Sequence, residues 1–167
     1  CALPISPPIR DDAHPGYGDP VTLADARAPW RPGYDALVAQ LAGKLRSLPP
    51  GGSIRLGKQT SNLFRPRAAT PAQRLDVSAF DGVLEVDPLT RTAEVLGMTT
   101  YEHLVEATLP YGLIPMCVPQ LRTITLGGAV TGLGIESASY RQGTPHESVI
   151  EMDILRSEEH TSELQSR

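Results

Sequence analysis

The sequence lacks most of the features that assign a class at a glance. It has 2 cysteines, at positions 1 and 117. That is too few for a disulfide framework, so no oxidising compartment is implied. Its formal net charge is −4 over 167 residues. A nucleic-acid or anionic-membrane partner is therefore not expected. No apolar run approaches the roughly 18 residues that a membrane span requires, and no signal peptide is visible. The location that these absences suggest is cytoplasmic. There is no internal repeat, no low-complexity block and no His/Cys/Asp/Glu spacing of a metal site.

Both ends read as something other than natural coding sequence. The end RSEEHTSELQSR, Arg156–Arg167, matches an in-frame translation of a short-read sequencing adapter. The start CALPIS, Cys1–Ser6, matches the reverse adapter. Segments of this kind are set aside from fold reasoning, which leaves Pro7–Leu155 as the natural part and Cys117 as its one cysteine. Residues 156–167 carry Arg156, Arg167, Glu158, Glu159 and Glu163, so the remainder holds about −3. No methionine precedes Met98. The expectation is an internal piece of a longer gene whose own start lies elsewhere.

What is present is turn-forming. The chain has 16 prolines and 15 glycines against a hydrophobic content of 40%. Short strands and long functional loops are expected rather than a bundle. Residues 7–32 (with PPIRDDAHPGYGDP) read as an irregular lead-in. Gly33–Leu48 carries Leu37, Val38, Leu41, Ala42 and Leu45 at helical spacing, and Pro49-Pro50-Gly51-Gly52 stops it. Ser53–Leu56 reads as a short strand, and Leu75–Ser78 as another. Gly82–Asp87 (GVLEVD) and Thr92–Gly97 (TAEVLG) read as strands of a hairpin turning at Pro88–Arg91. Thr100–Leu109 reads as an amphipathic helix with Thr99 or Thr100 as N-cap. Pro115–Gln120 reads as extended, and Ser148–Leu155 (SVIEMDIL) as a closing alternating strand. This order gives an α+β class, with one domain over residues 33–155.

The stretch Thr125–Ser139, TLGGAVTGLGIESAS, is the richest in glycine. Glycine serves where the backbone needs positive φ or where another group must come close, and successive exposed N–H groups form an anion-binding concavity. Spacing alone leaves a phosphate cradle and a tight turn equally open. Two known phosphate motifs nearly fit. Gly52–Lys58 (GSIRLGK) has most of a P-loop, but Gln59 stands where Ser or Thr would hold magnesium. Gly132–Ser137 (GLGIES) nearly matches a dinucleotide fingerprint, but Ser137 replaces its third glycine.

Four segments together resemble the FAD-linked oxidases of vanillyl-alcohol oxidase type, which carry a PCMH-type FAD-binding domain. They are RLGKQTSNLFRPR (Arg55–Arg67), FDGVLEVDPLTRTAEVLG (Phe80–Gly97), GLIPMCVPQLRTITLGGAVTGLGIES (Gly112–Ser137) and PHESVIEMDIL (Pro145–Leu155). Within that superfamily the likeness is to bacterial FAD-binding oxidoreductases and 24-dehydrocholesterol reductases. The resemblance implies the N-terminal part of such a domain, cut before its cap domain, in a flavin-dependent oxidoreductase. The cap would carry the small-molecule substrate pocket and the catalytic acid or base. It implies FAD held by its diphosphate on two backbone loops. The first would contain Gly57, Lys58, Gln59, Thr60, Ser61 and Asn62. The second would contain Pro119, Thr125, Leu126, Gly127, Gly128, Thr131, Gly132, Gly134, Ile135, Glu136, Ser137 and Ser139. Some relatives attach FAD through a histidine in the first loop; none occurs between Gly51 and Arg67, so the cofactor is expected to be non-covalent. The alternative is a P-loop or Rossmann-like nucleotide-binding module without flavin.

Other residues have bland readings beside functional ones. Glu136 either bonds the ribityl chain or caps a short helix, and the cap is preferred. His146 reads as ordering a turn, His103 as surface, and Cys117 as a small core hydrophobe. Lys58 is either a solvated charge or a countercharge to the diphosphate. Arg65 and Arg67 read as solvated, Leu63 and Phe64 as packing.

Overall fold

The computed structural model describes residues 2–6, 28–49, 52–58 and 72–155. Its elements in chain order are β1 (Ala2–Ser6), α1 (Arg31–Arg46), β2 (Ile54–Gly57), β3 (Gln73–Asp76), β4 (Val83–Asp87), β5 (Thr92–Val95), α2 (Tyr101–Thr108), β6 (Ile114–Pro115), α3 (Leu126–Thr131) and α4 (Ser139–Gln142). Single 3-10 turns cover Ser78–Phe80 and Leu109–Tyr111. The mixture of helix and strand is the α+β class that the sequence suggests.

Four strands form one sheet in the order β4-β5-β1-β6, and β2 pairs with β3 in a separate two-stranded sheet. The hairpin β4–β5 is antiparallel, with Val83 opposite Val95 and Asp87 opposite Thr92. Its turn is built locally. The Asp87 carboxylate accepts the N–H groups of Leu89 (2.8 Å) and Thr90 (3.2 Å), and Arg91 takes a left-handed φ of 56°.

β1 is the segment that the sequence reading sets aside, and it fills the middle of the sheet. Leu3 lies opposite Ala93 of β5, and Ile5 opposite Pro115 of β6. Leu3 and Ile5 alternate along the strand, so both face the core; they are 2% and 1% exposed. Packing responds to this Leu-x-Ile pattern whatever its coding origin. The closing strand expected at Ser148–Leu155 does not form. Pro145–Ser148 is a turn, the Ser148 hydroxyl donates to the Pro145 carbonyl at 2.7 Å, and only Glu151 makes a bridge. With β1 seated on β5, an alternating segment at 148–155 has no ladder edge there to join.

α1 starts with Pro32 in its first turn and ends with Lys44 and Arg46, which suits the helix dipole. None of its residues is buried. Polar clasps tie it down: Trp30 Nε1 donates to the Glu85 carboxylate (2.9 Å), and the Tyr34 hydroxyl donates to Asp153 (2.8 Å). Leu37 and Leu41 line a cavity of about 210 Å³ against Asp76, Ser78 and Phe80. β2 and β3 run parallel, Ile54 opposite Gln73 and Gly57 opposite Asp76. β3 begins and ends two residues earlier than the strand expected at Leu75–Ser78. Asp76 stops it: its carboxylate accepts from the Ser78 N–H and hydroxyl (3.0 and 2.7 Å) and starts the 3-10 turn.

α2 is capped as expected. Thr100 Oγ1 accepts the His103 N–H at 3.2 Å, and Gly112, at φ 69°, stops the chain after the following 3-10 turn. Tyr101 and Leu104 of α2 pack with Leu3, Ile5, Ala93, Val95, Leu113, Leu126 and Ala129 in one core. The stretch after Ile114–Pro115 bends at Met116–Cys117 rather than staying extended to Gln120.

Candidate functional site

The glycine stretch is a helix as well as a loop. α3 occupies Leu126–Thr131, a region whose lack of period gave no helical signal. Thr125 explains its start: its backbone is extended, and its Oγ1 accepts the Gly128 N–H at 3.2 Å. The first turn is pressed on the backbone before α2. The Leu126 N–H donates to the Thr99 carbonyl and the Gly127 N–H to the Gly97 carbonyl, both at 2.8 Å. A Cβ on Gly127 would lie 2.7 Å from the Gly97 oxygen, so only glycine permits that approach. Leu126 itself is 1% exposed and belongs to the core.

Of the two uses of glycine, positive φ is not the one found in this stretch. Among the described glycines only Gly82, Gly112 and Gly143 have it; Gly127, Gly128, Gly132 and Gly134 do not. At Gly127, Gly128 and Gly132 neighbours come too close for a side chain, while at Gly134 an added Cβ would make only ordinary contacts. A Cβ on Gly128 would meet Thr125 Oγ1 at 2.8 Å and come within 4.0 Å of Lys58 Nζ. One on Gly132 would lie 2.8 Å from the Gly128 carbonyl, and one on Gly134 would lie 3.4 Å from the Pro145 ring.

Lys58 of the first expected loop thus comes near Gly128 of the second. β2 ends at Gly57, which is buried and could carry no side chain without running into that of Arg74, whose Cγ is 2.9 Å from the ideal Cβ position. The next residue brings its ammonium to the face of Gly128. Gln59, Thr60, Ser61 and Asn62 lie outside the described residues, as do Leu63, Phe64, Arg65 and Arg67.

The end of α3 carries the residue that the sequence reading passed over. The Gly134 N–H donates to the Ala129 carbonyl (3.0 Å) and the Leu133 N–H to that of Val130 (3.4 Å). This is a Schellman termination, whose left-handed position is usually glycine. Here it is Leu133, at φ 50°. A left-handed leucine costs about 1–2 kcal/mol. Leu133 is 65% exposed, and Ile135 and Tyr140 beyond it are 79% and 80% exposed. Only the backbone could have disclosed this, because glycines on both sides are the more obvious candidates for the left-handed position.

Beyond Leu133, a polar net pins the segment to the chain before it. The Glu136 carboxylate accepts the Gln120 N–H (3.2 Å), while Ser139 Oγ accepts the Glu136 N–H (2.9 Å) and lies 3.6 Å from Cys117 Sγ. Glu136 therefore ties one stretch of backbone to another and Cys117 is core, while Pro119 is buried between. Thr131 Oγ1 donates back to the Gly127 carbonyl at 2.7 Å. His146 stands 3.0 Å from the Thr144 hydroxyl and orders the turn there. Beneath α3 lies Tyr101, 2% exposed, whose hydroxyl bonds to none of the described residues. Burial, with Cys117 and Glu136 nearby, pushes its phenol above the ordinary value.

The donor set fits a diphosphate through few groups. The N–H groups of Leu126, Gly127 and Gly128 are already spent within the protein. The Lys58 ammonium remains, with the Thr125 hydroxyl proton, whose oxygen serves only as acceptor in the cap. Ser137 and the Ile135 N–H are also without partners among the described residues. The missing side chains of Gly127 and Gly128 leave room beside them. A P-loop is not what the first segment forms, because β2 occupies the middle of Gly52–Lys58. Nor does a strand precede Gly132–Ser137 as a dinucleotide fingerprint requires; α3 does.

The family described as FAD binding domain matches residues 36–164 of this chain. Delta(24)-sterol reductase of Pisum sativum is 28% identical over 81 residues, and that of Arabidopsis thaliana 30% over 81 residues. Each match takes in 48% of this chain and 14% of the relative, so the chain matches only a small part of those proteins. No solved structure matches it.

Proposed function

The chain belongs to the FAD binding domain family, and on that premise we propose that it is the cofactor-holding part of a flavin-dependent oxidoreductase. The observation that carries the site is Lys58 Nζ within 4.0 Å of where a Cβ on Gly128 would lie, beside the Thr125 cap. It joins one cation, one hydroxyl donor and a patch of bare backbone, which is what a diphosphate needs. Lys58 supplies the countercharge, and Thr125 and Ser137 supply hydroxyl donors. Gly127 and Gly128 keep the approach open. The loop Gly57–Asn62 is proposed as the other wall. When bound, FAD supplies a ring that accepts and returns an electron pair; the protein positions it and tunes its surroundings.

No residue here is assigned as catalytic acid or base. We place those groups, with the substrate pocket, in a further domain outside this stretch. The names of the Pisum sativum and Arabidopsis thaliana relatives make a sterol the first substrate class to assay with a longer protein.

The cofactor is proposed to be non-covalent, since no histidine occurs between Gly51 and Arg67, where a linking histidine would be expected. Titrating the chain into FAD should quench and shift the flavin signal, and acid precipitation should then release the flavin to the supernatant. A yellow pellet would overturn the non-covalent reading. A flavin spectrum that the protein leaves untouched would overturn FAD binding by this chain.

A further inference from the structure

The charge of the whole chain hides a one-sided stretch. Residues 36–75 hold two lysines and five arginines and no Asp or Glu, in a chain whose net charge is −4. β2 and β3 bring two of these cations together. Arg55 and Arg74 are register partners in the parallel pair, so both leave the same face of strands about 4.8 Å apart. Like charges set side by side in a sheet destabilise it. Exposed arginines are ordinarily solvated, but two features set this pair apart. Neither guanidinium meets a carboxylate among the described residues. Asp76, on the same face two residues beyond Arg74, turns its carboxylate to the N–H and hydroxyl of Ser78, and Lys44 of α1 lines the adjoining cavity with it. Arg74 is also held in place. Its Cγ and Cδ lie 2.9 and 3.2 Å from where a Cβ on Gly57 would be, so its stem lies along bare backbone and much of its rotamer freedom is already spent.

We propose that Arg55 and Arg74 form an anion site for the phosphate monoester of a small molecule, separate from the site at Lys58. The strand period sends Lys58, one residue beyond Gly57, to the other face of the pair, where Gly128 lies. Neither arginine serves that site, so the pair stands whether or not FAD binds there. The chemistry selects the monoester. It carries close to two negative charges at pH 7 and three terminal oxygens, which match two guanidinium forks. A carboxylate brings one charge and leaves the second arginine unmatched. FAD has no monoester, so the ligand is a different molecule from the cofactor.

The test reads phosphate and FAD on one protein. Inorganic phosphate is titrated into the chain at constant ionic strength, with and without saturating FAD, and followed by phosphorus NMR line width and melting temperature. In both conditions the unaltered chain should bind phosphate and melt higher with it. Chloride at the same ionic strength should do neither, and acetate should bind more weakly than phosphate. Arg55→Gln and Arg74→Gln should each weaken phosphate about tenfold and leave the FAD titration unchanged; Lys58→Gln should do the reverse. Arg55 makes no hydrogen bond or ion pair with the described residues, so its variant tests the site without the packing that the Arg74 stem gives Gly57. Arg74→Lys keeps the charge, loses the fork and should bind phosphate at an intermediate strength. Equal phosphate affinity in all chains would overturn the inference. So would displacement of phosphate by FAD, which would give the arginines to the cofactor, or an equal response to chloride, which would mean screening alone. Arginine-dependent binding of phosphatidylserine vesicles or of an RNA, with no response to free phosphate, would also overturn it in favour of a macromolecular surface.

Discussion

Gly127 and Gly128 are adjacent, and the structure separates their roles. Gly127 faces backbone: its Cβ would lie 2.7 Å from the Gly97 oxygen, which cannot swing aside. Gly127→Ala should therefore cost about 1–3 kcal/mol of stability by overpacking, read in denaturant melts. Gly128 faces the Thr125 hydroxyl and Lys58. Gly128→Ala should cost less stability and weaken FAD binding more, as a comparison of the two variants by melt and titration would reveal. Identical profiles would mean that the pair acts only as a packing element. His103 gives a pH test. Its Nδ1 lies 3.1 Å from Asp81, and that hydrogen bond raises its pKa above the usual histidine value. A raised folded-state pKa stabilises fully below the unfolded value near about 6.5. That stabilisation is lost as pH rises through the folded value. The pair is largely exposed, so solvent screening keeps it below about 1 kcal/mol. Asp81→Asn should lower the melting temperature at pH 5 and converge with the unaltered chain by pH 9; a constant gap would refute the pairing.

Among the elements, α3 is the one that binding and folding share. Thr125→Ala should cost about 1 kcal/mol through the lost cap and weaken FAD binding as well, so melts and titrations should both move. Affinity loss without destabilisation would assign Thr125 to the ligand alone. Helix α2 and the β4–β5 hairpin were legible because their signals are local: Thr100 before an amphipathic run, and Pro88–Arg91 between two alternating runs. α3 was not legible, since LGGAVT has no period and sets two glycines and two β-branched residues beside its Leu and Ala. It forms because Thr99 and Gly97 accept its first N–H groups, partners that its own sequence does not contain. The site was legible as glycine density and Lys58. The reason for the glycines was not, because close approach depends on which backbone lies opposite. Close approach, one of the two uses open in the sequence, is what Gly127 and Gly128 serve, and the left-handed φ falls on Leu133. SVIEMDIL has the alternation of a strand, but alternation specifies a face and not a partner.

At the scale of the molecule, the described core depends on its first residues. Leu3 and Ile5 are almost wholly buried between two strands, and each is worth about 1.5–3 kcal/mol of burial. Removing residues 1–6 should cost several kcal/mol by chemical denaturation and bare the inner edges of β5 and β6. Hydrogen exchange at 149–153 would then report whether SVIEMDIL takes the vacated place; protection there is the expected result. α1 adds little to this core, because Trp30, Tyr34 and their carboxylate partners hold it from outside. The sheet order β4-β5-β1-β6 also has a consequence in time. β4 meets β5 across a four-residue turn, Pro88–Arg91, which closes within microseconds. β1 can join only by bringing residues 2–4 to 92–94, a long loop whose ordering must precede its reward. β6 reaches the sheet only through β1. The chain should therefore assemble as a fast hairpin with α2 and a slow closure. During that interval the unpaired side of β5 is the surface most open to pairing with another molecule.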